Sequence, residues 1–324
     1  MTSHLRPILC LALFSAAGGM LLATSARATA GDTETARLAK ELTDLVEARR
    51  ESISTLEIVA DLVSSPRQLL PNTPLQIHAI LDRYVSSARS DSDRQLMYGE
   101  FFRPDPQRQK PLAKQVRIVQ DGPRSSTLQG GVRSVTDDRA SILVSPREPG
   151  VLQVQLWKPG KATSRLTSRS DFSWELDCPW LIPTRPYDIV SDDGGQLVLS
   201  WKDGRATHRM DVSVADGILN HRMFADDDKR SLILQVGRIS APEGIPFPAV
   251  VCHCFYQHGS LRMVDLYVPT SIRVNQPVDP EEFRIAVPAK TVIIDDGAEA
   301  TRIELPGDID DLVDFALMNG IHQD

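Results

Sequence analysis

The chain has 324 residues, 41% hydrophobic, 24% charged and 6% aromatic, with 36 Lys and Arg against 43 Asp and Glu and a formal net charge of −7. That supports one large or two ordinary domains with a real core, and the acidic balance supplies no overall positive field for a nucleic-acid partner. Beyond the first thirty residues there is no uninterrupted apolar run of about 18 residues, which excludes a polytopic helical membrane protein.

Residues 1–30 read as a secretory signal. Arg6 lies in a short leading region, an apolar stretch runs from Pro7 to Ala23, and Ala26-Arg27-Ala28 and Ala28-Thr29-Ala30 supply small-x-small cleavage sites after Ala28 or Ala30. Cys10 sits too early in the apolar run for a lipoprotein signal. Cleavage after Ala30 removes Arg6 and Arg27 and no acid, leaving a charge of −9. The expected location is the periplasm or the medium. Cys178, Cys252 and Cys254 remain, an odd number that allows at most one disulfide among the three.

From Asp32 to Arg50, Leu38, Leu42, Leu45 and Val46 form one helical stripe. Ile53–Val63 is rich in β-branched residues and ends at Ser64-Ser65-Pro66, which predicts a strand. Pro74 suits the first position of a helix, and Ile77, Ile80, Leu81, Tyr84 and Val85 follow at helical spacing, although Leu75, Ile77, Ala79 and Leu81 also alternate as a strand would, so residues 74–90 stay open between the two.

From Gln95 the helical signal fades. Between Tyr187 and Val274, turn signals such as Asp193-Gly194-Gly195, Lys202-Asp203-Gly204, Asp216-Gly217 and His258-Gly259 recur about every ten residues. They predict an antiparallel meander of Gln196–Trp201, Thr207–Val214, Ile218–Ala225, Ser231–Ile239, Ala249–Tyr256 and Ser260–Val274. Met210, Val212 and Val214, and Leu232, Leu234 and Val236, alternate with other residues, so one sheet face needs an apolar cover. Near the C-terminus Ile309, Leu312, Val313, Ala316 and Leu317 form a stripe between Asp308 as N-cap and Gly320 as stop. The expected class is α+β, a long curled antiparallel sheet with helices packed on one face.

The leading helix, the strand after Arg49-Arg50-Glu51-Ser52-Ile53, the meander and the closing Val274-Asn275-Gln276-Pro277-Val278-Asp279-Pro280-Glu281-Glu282-Phe283-Arg284-Ile285 resemble the LolA-like lipoprotein-sorting superfamily. Val287-Pro288-Ala289-Lys290-Thr291 through Asp295-Asp296 is similar to its ending, with Lys290 where a Gly is usual. The resemblance implies a half-barrel with helices on its concave face, an apolar cavity for acyl chains, and no metal or cofactor. On this reading residues 31–300 form a single half-barrel domain and 301–324 a tail with a short amphipathic helix.

Cys252-His253-Cys254 places two metal-ligand types together, but on a strand the cysteines share one face and His253 points to the other. Strand burial is therefore expected rather than a metal site, and Cys178 is a candidate disulfide partner for either cysteine. No phosphate-loop, dinucleotide-binding, zinc-protease or nucleophile-elbow motif occurs. His208, His221, His253 and His258 fall on neighbouring hairpins within reach of Asp211 or Asp265, and are expected to be ordinary strand residues.

The acidic runs Asp226–Asp228 and Asp308–Asp314 lack calcium-loop spacing. The basic stretch Arg103–Arg117 is broken by Pro104, Pro106 and Pro111 and reads as a solvated loop, with peripheral contact to anionic lipid headgroups as the alternative. Phe172, Trp174, Trp180, Leu181 and Ile182 make the most concentrated apolar segment and are the candidate ligand-binding residues, weighed against simple core packing. The functional expectation is a non-catalytic, exported carrier for a lipid, acyl chain or lipidated partner. The alternative is an envelope interaction or sensor module whose core is filled with side chains.

Overall fold

In the computed structural model, the structure describes residues 51–65, 73–102, 114–157, 188–193, 196–203, 206–213, 217–226, 229–241, 244–295 and 302–320, with six helical positions between 37 and 48. The chain divides into two compact units. The larger comprises Leu21–Val116 and Glu175–Asn275, and the smaller Met1–Met20, Arg117–Trp174 and Gln276–Asp324.

In the larger unit, β1 (Thr55–Ser65) is followed by helices α1 (Pro74–Val85) and α2 (Asp91–Phe101). Seven strands follow: β7 (Asp188–Asp193), β8 (Gln196–Asp203), β9 (Ala206–Ser213), β10 (Gly217–Asp226), β11 (Lys229–Ser240), β12 (Pro246–Gln257) and β13 (Ser260–Val274). Their order is β1-β13-β12-β11-β10-β9-β8-β7. Each pair with a described register is antiparallel. The expected meander is present with strand ends shifted by a few residues. His258 (φ 50°) and Gly259 (φ 72°) form the two-residue turn between β12 and β13, both in the left-handed region that such a hairpin loop demands.

Residues 74–85 are helix, not strand. Thr73 caps α1 through a reciprocal capping box with Gln76, Pro74 opens its first turn, and Ile77, Ile80, Leu81 and Tyr84 are buried. Helix α2 is an element the fading signal after Gln95 did not announce. Its start was legible in Ser90 and Asp93, which cap one another in the same way. Its body buries only Met97, Tyr98 and Phe101, too sparse a stripe to stand out.

The sheet differs from expectation in burying both faces at its centre. Leu232, Leu234 and Val236 are buried, and so are Ser231, Ile233 and Gln235 between them. Alternation within a central strand therefore separates two buried faces, not an inner from a solvated one. At the end of β13, Asn275 (φ 55°) fastens the start of β1. Its Oδ1 accepts from the Ser54 N–H (2.8 Å) and hydroxyl (2.9 Å), its Nδ2 donates to Ser52 O (2.8 Å), and its own N–H donates to Thr55 O (2.8 Å).

The smaller unit contains strands β2 (Lys114–Asp121, from Arg117 onward), β3 (Arg124–Gln129), β4 (Val132–Thr136), β5 (Ser141–Glu148) and β6 (Val151–Trp157). A 3-10 turn at Pro280–Phe283, β14 (Val292–Asp295), β15 (Arg302–Glu304) and helix α3 (Leu312–Met318) complete it. Strands β14 and β6 are parallel, with Val292 beside Val151, the one described departure from antiparallel pairing. Helix α3 buries Leu312, Val313 and Ala316, as the stripe predicted, but its N-cap is Asp311. Asp308 instead accepts from the Ala289 N–H (2.7 Å). The units carry separate apolar clusters, one around α1, α2 and β11–β13 and one around β4–β6, α3 and the 280–293 segment. The class is α+β with an open, mostly antiparallel sheet, as anticipated.

Lys290, out of place in the closing motif, has φ 65°, and its N–H donates to Leu305 O at 2.9 Å. A side chain with a Cβ is strained there, which explains why glycine suits the position. Lys290→Gly is expected to raise stability by about 1 kcal/mol, read as a higher urea midpoint with an unchanged slope. A lower midpoint would show that the lysine side chain contributes more than its backbone costs.

Candidate functional site: the helix–sheet layer

Helices α1 and α2 lie on one face of the larger unit's sheet. Ile77, Ile80, Leu81, Tyr84, Met97, Tyr98, Phe101 and Phe102 pack in one cluster with Val63, Leu232, Leu234, Val236, Val250, Cys252, Cys254, Tyr256, Val264, Leu266 and Val268. The period of two along β12 puts Cys252, Cys254 and Tyr256 on this face. The two thiols are free, buried and 3.5 Å apart. Burial, then the neighbouring thiol, pushes Cys252 well above the ordinary thiol range, so it stays protonated and behaves as an apolar group.

Two polar atoms interrupt this layer. The hydroxyls of Tyr98 (1% exposed) and Tyr256 (8% exposed) are enclosed and have no hydrogen-bond partner. A buried hydroxyl without a partner costs about 1–3 kcal/mol. Burial raises both phenols above their usual range, which keeps them as donors. Arg94, whose charge acts on Tyr98, is held by Asp91 and by Asp61 at 3.7 Å.

The opposite face carries a polar row on adjacent strands. Ser231 Oγ and His253 Nε2 share a hydrogen bond, and His253 stands directly across from Asp265, itself across from Ser64. Burial drives the His253 imidazole down to about 3 and raises the Asp265 carboxyl, while the Ser64 hydrogen bond lowers it in part. Hydroxyl, imidazole and acid are thus in register, but burial disfavours both the imidazolium and the carboxylate. His208 stacks on Trp201 with ring centroids 4.9 Å apart and planes 9° apart. His221 lies on β10 opposite Ile233, and His258 is in the turn.

In the smaller unit a polar cleft of about 490 Å³ is lined by residues that include Arg124, Asp137, Arg139, Phe283, Asp311 and Asp314. Several of its charges are held in ion pairs. Arg139 bonds Asp137 (2.8 Å), Asp311 (3.0 Å) and Asp314 (2.5 Å), and Arg124 pairs with Asp121 while lying 4.7 Å over the Phe283 ring. Burial opposes ionisation of Asp137, yet the Arg139 side chain and the Ala140 and Arg139 N–H groups outweigh it and hold the carboxyl below its usual range. Among the described residues no group of three or more His, Cys, Asp or Glu could hold a metal ion.

Phe172, Trp174, Cys178, Trp180, Leu181 and Ile182 lie outside the described residues, as do residues 1–30. Residues 103–113 of the basic stretch do too, while Lys114 and Arg117 stand in β2. The site residues that sequence reasoning missed are Tyr98 and Tyr256. Neither sits in a motif, and only the pairing of helix face with strand face shows them enclosed together.

No family model matches the chain, and no match was found among the curated proteins. Solved structures similar to it include an outer membrane lipoprotein-sorting protein domain from Vibrio parahaemolyticus, at 10% identity and TM-score 0.38 over 76% of this chain and 97% of that one. A LolA superfamily protein from Nitrosomonas europaea is 8% identical, with TM-score 0.39 over 75% and 97% of the two chains. A DUF1329 family protein from Desulfovibrio piger is 10% identical, with TM-score 0.37 over 75% and 96%.

Proposed function

We propose that the protein is an exported, non-catalytic carrier that takes up a lipid, an acyl chain or a lipidated partner in the bacterial envelope. The observation that carries this reading is the helix–sheet layer, a buried apolar seam between two short helices and a sheet, broken only by two hydroxyls without partners. Lifting α1 and α2 would open a slot lined by aliphatic and aromatic side chains. An acyl chain entering it gains about 0.8 kcal/mol per methylene removed from water, so a long chain could replace the side-chain contacts that close the layer.

The signal-like residues 1–30 support export, and Pro280–Phe283 and the turn at Lys290 support the closing motif. The second reading, an interaction module with a filled core, is favoured by the close packing of this same layer. Native mass spectrometry of the mature protein after mild extraction separates the two. Copurifying lipid, and uptake of a fluorescent acyl probe by the stripped protein, is the expected result. A lipid-free protein that takes up no probe would leave only the interaction module.

A further inference from the structure

We infer that Cys252 and Cys254 are a redox-active dithiol, a modification site at which a disulfide oxidant closes a Cys-x-Cys bridge along strand β12. The inference goes beyond the carrier reading and depends on no ligand. Both thiols are free and fully buried, and their sulfurs stand 3.5 Å apart on one face of the strand. A disulfide bond is about 2.05 Å long, so closure needs only about 1.5 Å of approach by two side chains already turned toward each other.

The strand decides what kind of bridge this is. Residues two apart on an extended strand have Cα atoms about 6.6 Å apart, at the far end of the roughly 4.4–6.8 Å that disulfides span. Strand β12 therefore shortens as the bridge closes. Its ladder resists, because Cys252 is paired with Leu234 and Leu266, and Cys254 with Leu232 and Val264. Slack lies one residue on, where the register with β13 shifts between Phe255 and Tyr256. A bridge closed against such resistance is strained, and strained bridges are the readily reduced, labile ones. The fold thus favours the dithiol without forbidding the disulfide.

Helices α1 and α2 supply the other side of the layer that encloses both sulfurs. The thiolate is the reactive form and a buried thiol has little of it, so an oxidant reaches the pair while the layer is locally open. Tyr256 follows on the same face with an enclosed hydroxyl that has no hydrogen-bond partner, and both sulfurs act on it. A donor of this kind favours the thiolate through which the exchange passes. One cysteine thiolate attacks the S–S bond of the oxidant, forming a mixed disulfide and releasing one thiolate of the oxidant. The second cysteine then displaces the other. Two electrons pass to the oxidant, and its two thiols carry away the two protons.

The test equilibrates the full-length mature protein, as wild type and as Cys178→Ser, in a series of oxidised and reduced glutathione mixtures, followed by acid trapping, alkylation and peptide mass spectrometry. The expected product in both is one unalkylated peptide, two hydrogens lighter, that holds Cys252 and Cys254 and replaces the doubly alkylated one. The Cys178→Ser chain in urea is expected to favour the bridge at least tenfold more than the same chain folded, because the strand no longer resists closure. Oxidised protein should accordingly have a lower urea midpoint than reduced protein, and Cys254→Ala should give no bridged peptide. A folded protein that stays reduced in mixtures that close the bridge in urea would overturn the inference and leave the pair as core residues. So would glutathione adducts without ring closure, or a link in wild type from Cys178 to either sulfur. An oxidised protein as stable as the reduced one would overturn it as well, since the bridge would then be structural rather than labile.

Discussion

Substituting Asp265 or His253 singly is expected to give stability profiles of opposite slope in acid. His253 is buried neutral and its imidazole is pushed down to about 3 from an ordinary value near 6.5. The unfolded chain therefore takes up a proton first as the pH falls, and the stability this group supports above pH 6.5 is lost progressively toward pH 3. Within that window each tenfold rise in proton concentration costs about 1.36 kcal/mol, so between pH 6.5 and 4.5 the loss is about 2.5 kcal/mol.

Asp265 acts the other way. Burial raises its carboxyl above 3.8, so the folded state holds the proton longer. Its contribution is fully present below about pH 3.8 and is lost as the pH rises through the raised value. Because the two residues face each other across β12 and β13, wild type displays the difference of the two effects. Asp265→Asn exposes the histidine alone, and stability should fall on acidification. His253→Gln keeps an acceptor for Ser231 and exposes the acid alone, and stability should rise. Urea unfolding at a series of pH values reads both slopes. Slopes of the same sign would mean that the two groups ionise together as a pair instead of lying neutral side by side.

Gly237→Ala is expected to cost about 3–4 kcal/mol and to detach α1 from the sheet. Gly237 has φ 67°, and a Cβ there would overlap Val85 Cγ1, approach Val85 Cγ2 to 2.9 Å and lie 3.1 Å from the Ala249 Cβ. The left-handed backbone costs an alanine about 1–2 kcal/mol, and forcing extra volume against packed side chains typically costs about 1–3 kcal/mol more. The second part can be recovered separately. Val85→Ala in the same chain should return roughly half the loss by removing the two methyls, while the backbone part remains. A Gly237→Ala protein with wild-type melting would show that α1 is not seated at this point. Because α1 closes the apolar layer, the variant also reads on uptake: a loosened helix should exchange an acyl probe faster, not bind it more tightly.

Much of this fold was legible from local chemistry. The meander could be read because its hairpins carry residues that tolerate positive φ, His258-Gly259 among them, and α1 could be read from Thr73, Pro74 and Gln76. Helix α2 was not, since its three buried residues are diluted by Asp91, Asp93, Arg94 and Glu100 and its capping pair is short. The split of Cys252 and Cys254 from His253 across the sheet followed from strand period alone. That Ser231 would be buried and bonded to His253 did not follow. Alternation says which residues share a face, but not whether that face meets solvent. The candidate site escaped the sequence for the same reason: Tyr98 and Tyr256 are 158 positions apart, and only tertiary packing encloses them together.

The pairing of β1 with β13 fixes an order of events for the newly made chain. Leu56 meets Val274 and Ser65 meets Val264, so the first strand waits for about two hundred further residues before its partner exists. The smaller unit waits longer, because α3 at Leu312–Met318 supplies buried residues to a cluster that starts at Val119. Neither unit can close on the ribosome while its last element is still unmade, and contacts of such long sequence separation form slowly. A chain built this way stays unassembled until synthesis is nearly finished, and each unit closes only once its far end is available to pair.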